Sequence, residues 1–599
     1  LKLGSFIFSF ACAASAFAAP STDTTKDLSE ADAAMLGAVA VTASKTGTSL
    51  KDISTSTVVM SGSELEQRGI RSSTEVLAHI ANVTSSGPGN LAPAVRGIDG
   101  TGSATGVDAF LAGSRARLGV QMDGRPASYN EIVFGSSSLW DVQQVEMLRG
   151  PQSTLQGRNA MAGTLVIKTR DPSWSPVGAV RVMGGNHMRR QLAFFLSGPV
   201  SDSIALRLSA DYQAYQSEVN FQPYPTMSDP GQFESRMIRG KLLYAPLNYP
   251  GLRELVTFQH SRTRGPQTST EARPFGSHQA ATPQMPVFEP TTDSLISETS
   301  WDIGKRMTLE NVASFTKLDI RRYALVHTGQ ARIHNYQYMI EPRIRWNRGG
   351  GIFKGVVGIH LYRTLQDEYL DVPADENFTD RVDTYAVYGE GSWALDHHWE
   401  LTFGLRYQYE RHRRNGGDPV FFDIDIDESD AVFLPKLDLA WHPDKNWTLG
   451  VSASRGYNGG GGGITFGAPI VNYRFKPEYV HNYETYFRGE LLQGRLNWSG
   501  NLFYGDYRDM QLPFDLNPDP AVFSTVIRNA PRAHNYGVET AVHWKLGHGV
   551  EARGNLGLLK TEVTQYPGSG IEGHSFARAP NVTGGFGLHW QGTRGFDFG

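Results

Sequence analysis

The stretch "LTFGLRYQYER", Leu401–Arg411, decides the fold class. Leu401, Phe403, Leu405, Tyr407 and Tyr409 lie on one side of an extended chain, and Thr402, Arg406, Gln408 and Glu410 on the other. Period two means a strand with one apolar and one polar face, because successive side chains leave opposite sides of the pleat. The texture returns in "IALRLSADYQAY" (Ile204–Tyr215), "WTLGVSASR" (Trp447–Arg455) and "LNWSGNLFYGDY" (Leu496–Tyr507). Strands of soluble sandwiches run ~5–6 residues. Many of these segments are about twice as long and start or stop in Tyr, Trp or Phe, as tilted membrane-crossing strands with interfacial girdles do. Roughly 18 such segments follow Val177. Short turns ("GGNHM", "SGPVSDS", "ALDHHW") alternate with polar loops at 217–233, 264–291, 414–430, 457–476 and 511–528. The expectation is a membrane all-β protein, with a large antiparallel transmembrane β-barrel over 177–599.

Working outward, Lys+Arg total 56 and Asp+Glu 60, so no basic surplus points to nucleic acid. Beyond the N-terminus no apolar run is long enough for a membrane-spanning helix, which leaves a barrel open. "LKLGSFIFSFACAASAFAAP" places Lys2 before an apolar stretch ending in small residues, so 1–19 is expected to be a signal peptide cut near Ala18 or Ala19. The single cysteine, Cys12, falls inside it, and the mature chain would have no disulfide, Cys-zinc site or cysteine nucleophile. Residues 20–50 are small and polar, a flexible periplasmic arm interrupted by the apolar island "MLGAVAVTA" (Met35–Ala43).

Residues 51–172 mix helix and strand patterns, as in a compact α+β domain. Ser63 can N-cap a helix with Glu66 closing a capping box, and Asp123-Gly124 marks a tight turn. The final "GTRGFDFG" reads as the opening of another strand. An unclosed barrel leaves backbone groups unpaired in lipid, so further C-terminal strands are expected; there is also no initiator Met.

"VEMLRGPQSTLQGRNAMAGTLVIKTRDP" (Val145–Pro172), "APAVRGIDG" (Ala92–Gly100) and "VQMDGRP" (Val120–Pro126) resemble the plug blocks of the TonB-dependent outer-membrane receptors. "RGYNGGG" (Arg455–Gly461), "FKPEYVHNYETYFRGEL" (Phe475–Leu491), "NAPRAHNYGVETAV" (Asn529–Val542) and "ARAPNVTGGFGLHW" (Ala577–Trp590) resemble that family's barrel blocks, in the same order. The resemblance implies a barrel of about 22 strands when complete, its lumen filled by the N-terminal plug. It implies import of a scarce nutrient, a ferric siderophore in the family's largest class, energised by the TonB C-terminal domain and its inner-membrane complex. The location would be the outer membrane of a Gram-negative bacterium, among lipid and lipopolysaccharide, with the chain acting as a monomer and carrying no covalent cofactor.

The resemblance assigns residues as well. The TonB box would be Gly37, Ala38, Val39, Ala40, Val41, Thr42 and Ala43, an apolar segment suited to adding as a strand to a partner's sheet edge. Arg96 and Arg149 match positions that pair with barrel-wall glutamates, here Glu484 and Glu539, with Glu478 a nearby candidate. A plug in a water-lined lumen is expected to be held by polar contacts that can exchange with water. Arg115 and Arg117, in the apical loop "DAFLAGSRARLG", and Tyr129 are the ligand-binding candidates.

Other motifs carry less. "DIDIDESD" (Asp423–Asp430) starts like an EF-hand loop, but Glu428 stands where the turn needs Gly and Leu434 where the bidentate Glu belongs, leaving a solvated acidic loop as the expectation. "GGGGG" (Gly459–Gly463) lacks the Gly-Lys-Ser/Thr of a phosphate loop, and His397-His398 has no third ligand nearby. No metal site or catalytic constellation emerges, so an enzyme is not expected. The alternatives kept open are the same import of cobalamin, heme, a nickel chelate or an oligosaccharide, or a role as adhesin or as phage or bacteriocin receptor.

Overall fold

A computed structural model describes residues 41–598 except 48, 86–90, 105–112, 114, 136, 347–351, 372–374, 419–422, 466–467, 518–523 and 592–596. The expected signal peptide, most of the arm and Gly37–Ala40 of the box lie outside the described residues. No helix among the described residues is long and apolar enough to cross a membrane.

The first unit is the plug. Its central sheet takes β1 (Ser56–Ser61), β5 (Leu118–Met122), β6 (Arg125–Pro126), β7 (Val142–Arg149) and β8 (Gly163–Thr169) in the order β1-β7-β8-β5-β6, with β5 and β8 parallel. Three two-residue strands, β2 (Val83–Thr84), β3 (Ala94–Val95) and β4 (Ile98–Asp99), form a second small sheet. The helices are α1 (Gly62–Gln67), α2 (Ser73–Ala78), α3 (Tyr129–Phe134) and α4 (Ser153–Gln156). Ser61, Ser72 and Ser128 cap the first three by accepting from the N–H of Glu64, Glu75 and Glu131, each worth ~1 kcal/mol. The capping residue of α1 is therefore Ser61 and not Ser63. β1 holds an extended backbone through Ser61, and Ser63 lies inside the helix, its hydroxyl 2.9 Å from that of Ser61. Asp123 and Gly124 both take positive φ (48° and 79°) and close the β5–β6 hairpin, the two-residue turn that matches strand twist.

The second unit is the wall. Among the described residues, eighteen strands of eight residues or more, from Val177–Gly184 to Val582–Gln591, each pair antiparallel with the next long strand. Along them buried and exposed residues alternate, as from Thr402 to Glu410, where every second residue is buried. The apolar face looks outward: Phe403, Leu405, Tyr407 and Tyr409 are exposed while Arg406, Gln408 and Glu410 are buried. The exposed Trp301, Trp393, Trp399, Trp441, Trp498 and Trp544 all stand beside short turns on one rim. Trp399 to Tyr409, ten residues at ~3.4 Å rise and ~40° tilt, spans about 26 Å, the height of an outer-membrane apolar band.

The long loops lie on the opposite rim but are shorter than the sequence suggested. Strands such as Ile424–Asp444 and Thr525–Gly547 continue as ladders beyond the apolar band. Asp423–Asp430 is accordingly mostly strand and not a free acidic loop, with Arg411 paired to Asp427 at 2.6 Å and Arg474 to Glu428 at 3.2 Å. Among the described residues, pairing between the last long strand and the first is supplied only through the two-residue strand Asp597–Phe598. Both long strands flanking that junction are largely exposed on both faces, so full-length pairing does not close the wall there.

Candidate functional site

The plug meets the wall through buried ion pairs, and Arg96 is at the centre of the most extensive of these. Arg96-Gly97 forms the two-residue turn between β3 and β4, with φ of 51° and 77°. That turn pushes the guanidinium out of the plug. Its Nη1 donates to Glu484 Oε1 at 2.7 Å, and its Nε and Nη2 donate to the two oxygens of Glu539, both at 3.0 Å. The ring of Phe503 lies 3.9 Å from Cζ. Arg149, at the end of β7, approaches Glu539 Oε2 at 3.3 Å and donates to the carbonyl of Ala81 at 2.8 Å. The two acids accept further bonds: Glu539 from Ser56 (2.6 Å) and Asn82 (3.3 Å), Glu484 from Asn482 (2.9 Å) and Asn501 (2.7 Å). All four charged side chains are nearly devoid of solvent exposure. Gly150 is required beside them. Its φ is 81°, and a Cβ there would lie 2.8 Å from Arg96 Nη1 and 3.0 Å from Glu484 Oε1. The structure thus brings Arg96, Arg149, Glu484 and Glu539 into one cluster.

Glu478 belongs to a separate pair. Arg117 donates to it from Nε (2.6 Å) and Nη2 (3.0 Å), and the Gln511 N–H adds a third bond at 2.9 Å. Arg117 is 1% exposed, which corrects its placement at the outer rim: the guanidinium is consumed by a wall carboxylate and offers no face to a ligand. Arg115 is paired with Glu410. Tyr129 is half-buried, its hydroxyl 3.3 Å from the carbonyl of Ala104. With Arg115 and Phe134 it lines a cavity of ≈ 80 Å³ between the plug and the long-loop half of the wall.

Pairs that sequence reasoning missed hold the other sides of the plug. Asp141 accepts from Arg207 Nε at 2.7 Å, and Ser138 donates to Asp211 at 2.6 Å. Asp123 accepts from the N–H and hydroxyl of Thr169 (2.9 and 2.6 Å) and lies 3.3 Å from Lys241 Nζ. Burial pushes the Asp123 carboxyl up, but Lys241 and Lys168 outweigh it and leave the group below the usual carboxylate range. Asp123 was readable as a turn residue, but nothing in the sequence marked its wall partner Lys241.

The contact is not wholly polar. The plug core of Leu65, Val95, Ile98 and Leu118 continues into Val480, Tyr507, Met510 and Ala533 of the wall, which corrects the expectation of polar anchoring alone. The seam is possible because these wall residues face inward at the height of the plug, where no open water needs to be met.

The end of the arm is seated as well. Val41 is fully buried with Leu148 and Val166. Thr42 donates to Glu146 through its N–H (2.8 Å) and its hydroxyl. Thr42–Ser44 forms a 3₁₀ turn, and Lys45 reaches Glu341 of the wall at 2.7 Å and the Leu155 carbonyl at 2.8 Å. Burial brings the Lys45 ammonium down to about 8, with Glu341 opposing the fall. The tail of the arm is therefore docked, in contrast to the free segment expected, because Val41 finds an apolar slot and Thr42 a carboxylate.

The "TonB dependent receptor-like, beta-barrel" family model matches residues 197–599, and the "TonB-dependent Receptor Plug Domain" model matches 49–164. The chain belongs to the TonB-dependent receptor family. The pesticin receptor of Yersinia pestis is 23% identical over 546 residues, covering 88% of this chain and 78% of that protein. An iron-regulated outer membrane virulence protein of Vibrio cholerae is 23% identical, covering 89% and 79%. Among solved structures, the ferric yersiniabactin uptake receptor FyuA from Yersinia pestis has a TM-score of 0.76 at 19% identity, covering 90% of this chain and 83% of that one. The siderophore receptor PiuA from Acinetobacter baumannii has a TM-score of 0.75 at 13% identity, covering 93% and 87%. The TonB-dependent receptor described here is accordingly an outer-membrane protein of the Gram-negative type, in a family of transport receptors.

Proposed function

We propose that this receptor imports a ferric siderophore. The ligand enters from the long-loop rim, and the energy comes from the TonB C-terminal domain engaging Gly37–Ala43 at the short-turn rim. The observation that carries the reading is a plug held in the lumen by ion pairs on several sides, with a polar cavity toward one rim and a docked arm toward the other. Hydrogen-bonded charges can exchange partners with water, so a plug seated this way can be displaced without unfolding its own sheet. In this scheme Arg96, Arg149, Glu484 and Glu539 are the lock that traction must loosen. Iron-related relatives (the ferrioxamine B receptor of Salmonella typhimurium is 33% identical over 93 residues, 15% of this chain) support iron chelates as the cargo.

The test is transport of radiolabelled ferric siderophores into cells carrying the complete gene. Deletion of Gly37–Ala43 is expected to abolish uptake while surface binding persists. Uptake at the undeleted rate would overturn the energised mechanism, and growth on no ferric siderophore of a broad panel would overturn the cargo.

A further inference from the structure

The geometry points to two seats on the lipid-facing side of the wall for a phosphorylated glycolipid of the outer leaflet. Each is built on a pair of arginines that face each other across neighbouring strands.

The two seats repeat one pattern. Arg381 of Asp375–Ala394 lies directly opposite Arg413 of Trp399–Gly416, and Arg508 of Leu496–Asp515 directly opposite Arg532 of Thr525–Gly547. Two residues along, an aspartate meets a basic residue: Asp383 opposite Arg411, and Asp506 opposite His534. Two further along, tyrosines stand opposite each other, Tyr385 with Tyr409 and Tyr504 with Tyr536. In sequence the order Arg381, Asp383, Tyr385 returns reversed as Tyr504, Asp506, Arg508, because the two strands run in opposite directions. All four tyrosines are exposed, and period two puts the arginines on their side of the sheet.

The height of both seats fits a lipid headgroup. Trp393, Trp399, Trp498 and Trp544 mark the short-turn rim at the far end of these same four strands. The tyrosine pairs therefore close the apolar band on the long-loop side, which faces outward in outer-membrane barrels. Four residues beyond them, at ~3.4 Å rise and ~40° tilt, the arginines stand about 10 Å higher. Below lie exposed Leu361, Val387 and Leu502, a surface for acyl chains.

The charges leave both seats cationic. Like charges directly opposite on adjacent strands repel, and Arg381 and Arg413 keep 36% and 34% of their side chains exposed, within reach of an outside anion. Arg363, Arg381 (2.8 Å) and Arg413 (3.6 Å) all turn to the single carboxylate of Asp383, while Arg411 takes Asp427 at 2.6 Å. In the second seat Arg508 pairs with Asp506 at 2.7 Å, and Arg532 has no carboxylate partner among the described residues. The flanking acids, Asp367 and Asp425 at the first seat and Asp509 and Glu562 at the second, form no ion pair with these arginines among the described residues. Two facing guanidinium forks suit one phosphate, whose oxygens accept from both and turn the repulsion into a bridge. A phosphate carried on a lipid is held there by its chains as well as by its charge.

The experiment titrates the complete receptor in detergent with EDTA present, read by native mass spectrometry. The probes are bisphosphorylated lipid A, dephosphorylated lipid A, phosphatidylglycerol and inorganic phosphate. Two molecules of bisphosphorylated lipid A are expected to be retained, at least about tenfold more tightly than either other lipid, and excess inorganic phosphate should not displace them. Arg413→Gln and Arg532→Gln should each remove one of the two. Neither strands a carboxylate, since Asp383 keeps Arg363 and Arg381, and Asp506 keeps Arg508. Each should also raise the melting temperature of the lipid-free receptor by relieving repulsion, whereas a merely structural arginine would lower it. Equal retention of dephosphorylated lipid A, a preference for phosphatidylglycerol, displacement by inorganic phosphate, or variants that keep both lipids would each overturn the proposal. None of these outcomes bears on what the receptor imports.

Discussion

Replacing Arg96 by Met tests whether the central cluster holds the plug. Met preserves the length and apolar stem of the side chain, so packing against Phe503 is retained while the cation is lost. Glu539 would keep Arg149 at 3.3 Å together with the Ser56 and Asn82 bonds. Glu484 would keep only the amides of Asn482 and Asn501. Breaking a buried pair by removing one partner costs ~3–5 kcal/mol, and these surviving bonds put the expected loss at the lower end, about 3 kcal/mol. At ~1.4 kcal/mol per factor of ten this is a rise of roughly 150-fold in the population of locally opened plug. Hydrogen exchange of the amides from Val83 to Asp99, measured on detergent-solubilised receptor, reads that population directly. The double variant Arg96→Met with Glu484→Gln removes the stranded charge and should recover much of the protection. Exchange within twofold of the unmodified protein, or a double variant no better protected than the single one, would refute the argument.

Two further outcomes follow from the same contacts. Asp123→Asn should lower plug stability at neutral pH and flatten its acid response. A carboxyl held below its ordinary value of 3.8 contributes stability that is present above that value and lost as pH falls beneath it. Plug protection followed from pH 7 to pH 2 checks this, and superimposable profiles would count against it. Glu146→Ala removes the acceptor of both Thr42 bonds, so a spin label at Ala43 should become more mobile without any iron complex present; an unchanged spectrum would show that Val41 and Lys45 suffice to seat the arm.

Much of this architecture was legible because its determinants are local. Alternation in Leu401–Arg411 gives the inward and outward faces directly, and Asp123-Gly124 gives its turn. Arg96 and Arg149 could be matched to Glu484 and Glu539 only through motif resemblance, since partners 388 and 390 residues apart leave no spacing signal. Arg117 shows where that reasoning stopped. Its loop position suggested exposure, but whether an arginine meets ligand or wall depends on which strand the barrel curls beside it, and here that strand presents Glu478. The same non-local cause hid Lys241 from Asp123 and Glu341 from Lys45.

The path from the arm to the lock is short enough to be mechanical. Thr42 is bonded to Glu146, Glu146 sits on β7 three residues before Arg149, and Arg149 shares Glu539 with Arg96. Traction on the arm would reach β7 first, and β7 is paired along its length to β8 and β1 by ladder bonds that share the load. The weakest connection in this line is then not the sheet but the 3.3 Å approach of Arg149 to Glu539, which lacks the well-directed hydrogen bonds that Arg96 makes to the same carboxylate. Loss of that contact leaves Glu539 with Arg96, Ser56 and Asn82, so one step taken at the arm weakens a charge cluster on the far side of the plug sheet while the sheet itself stays intact.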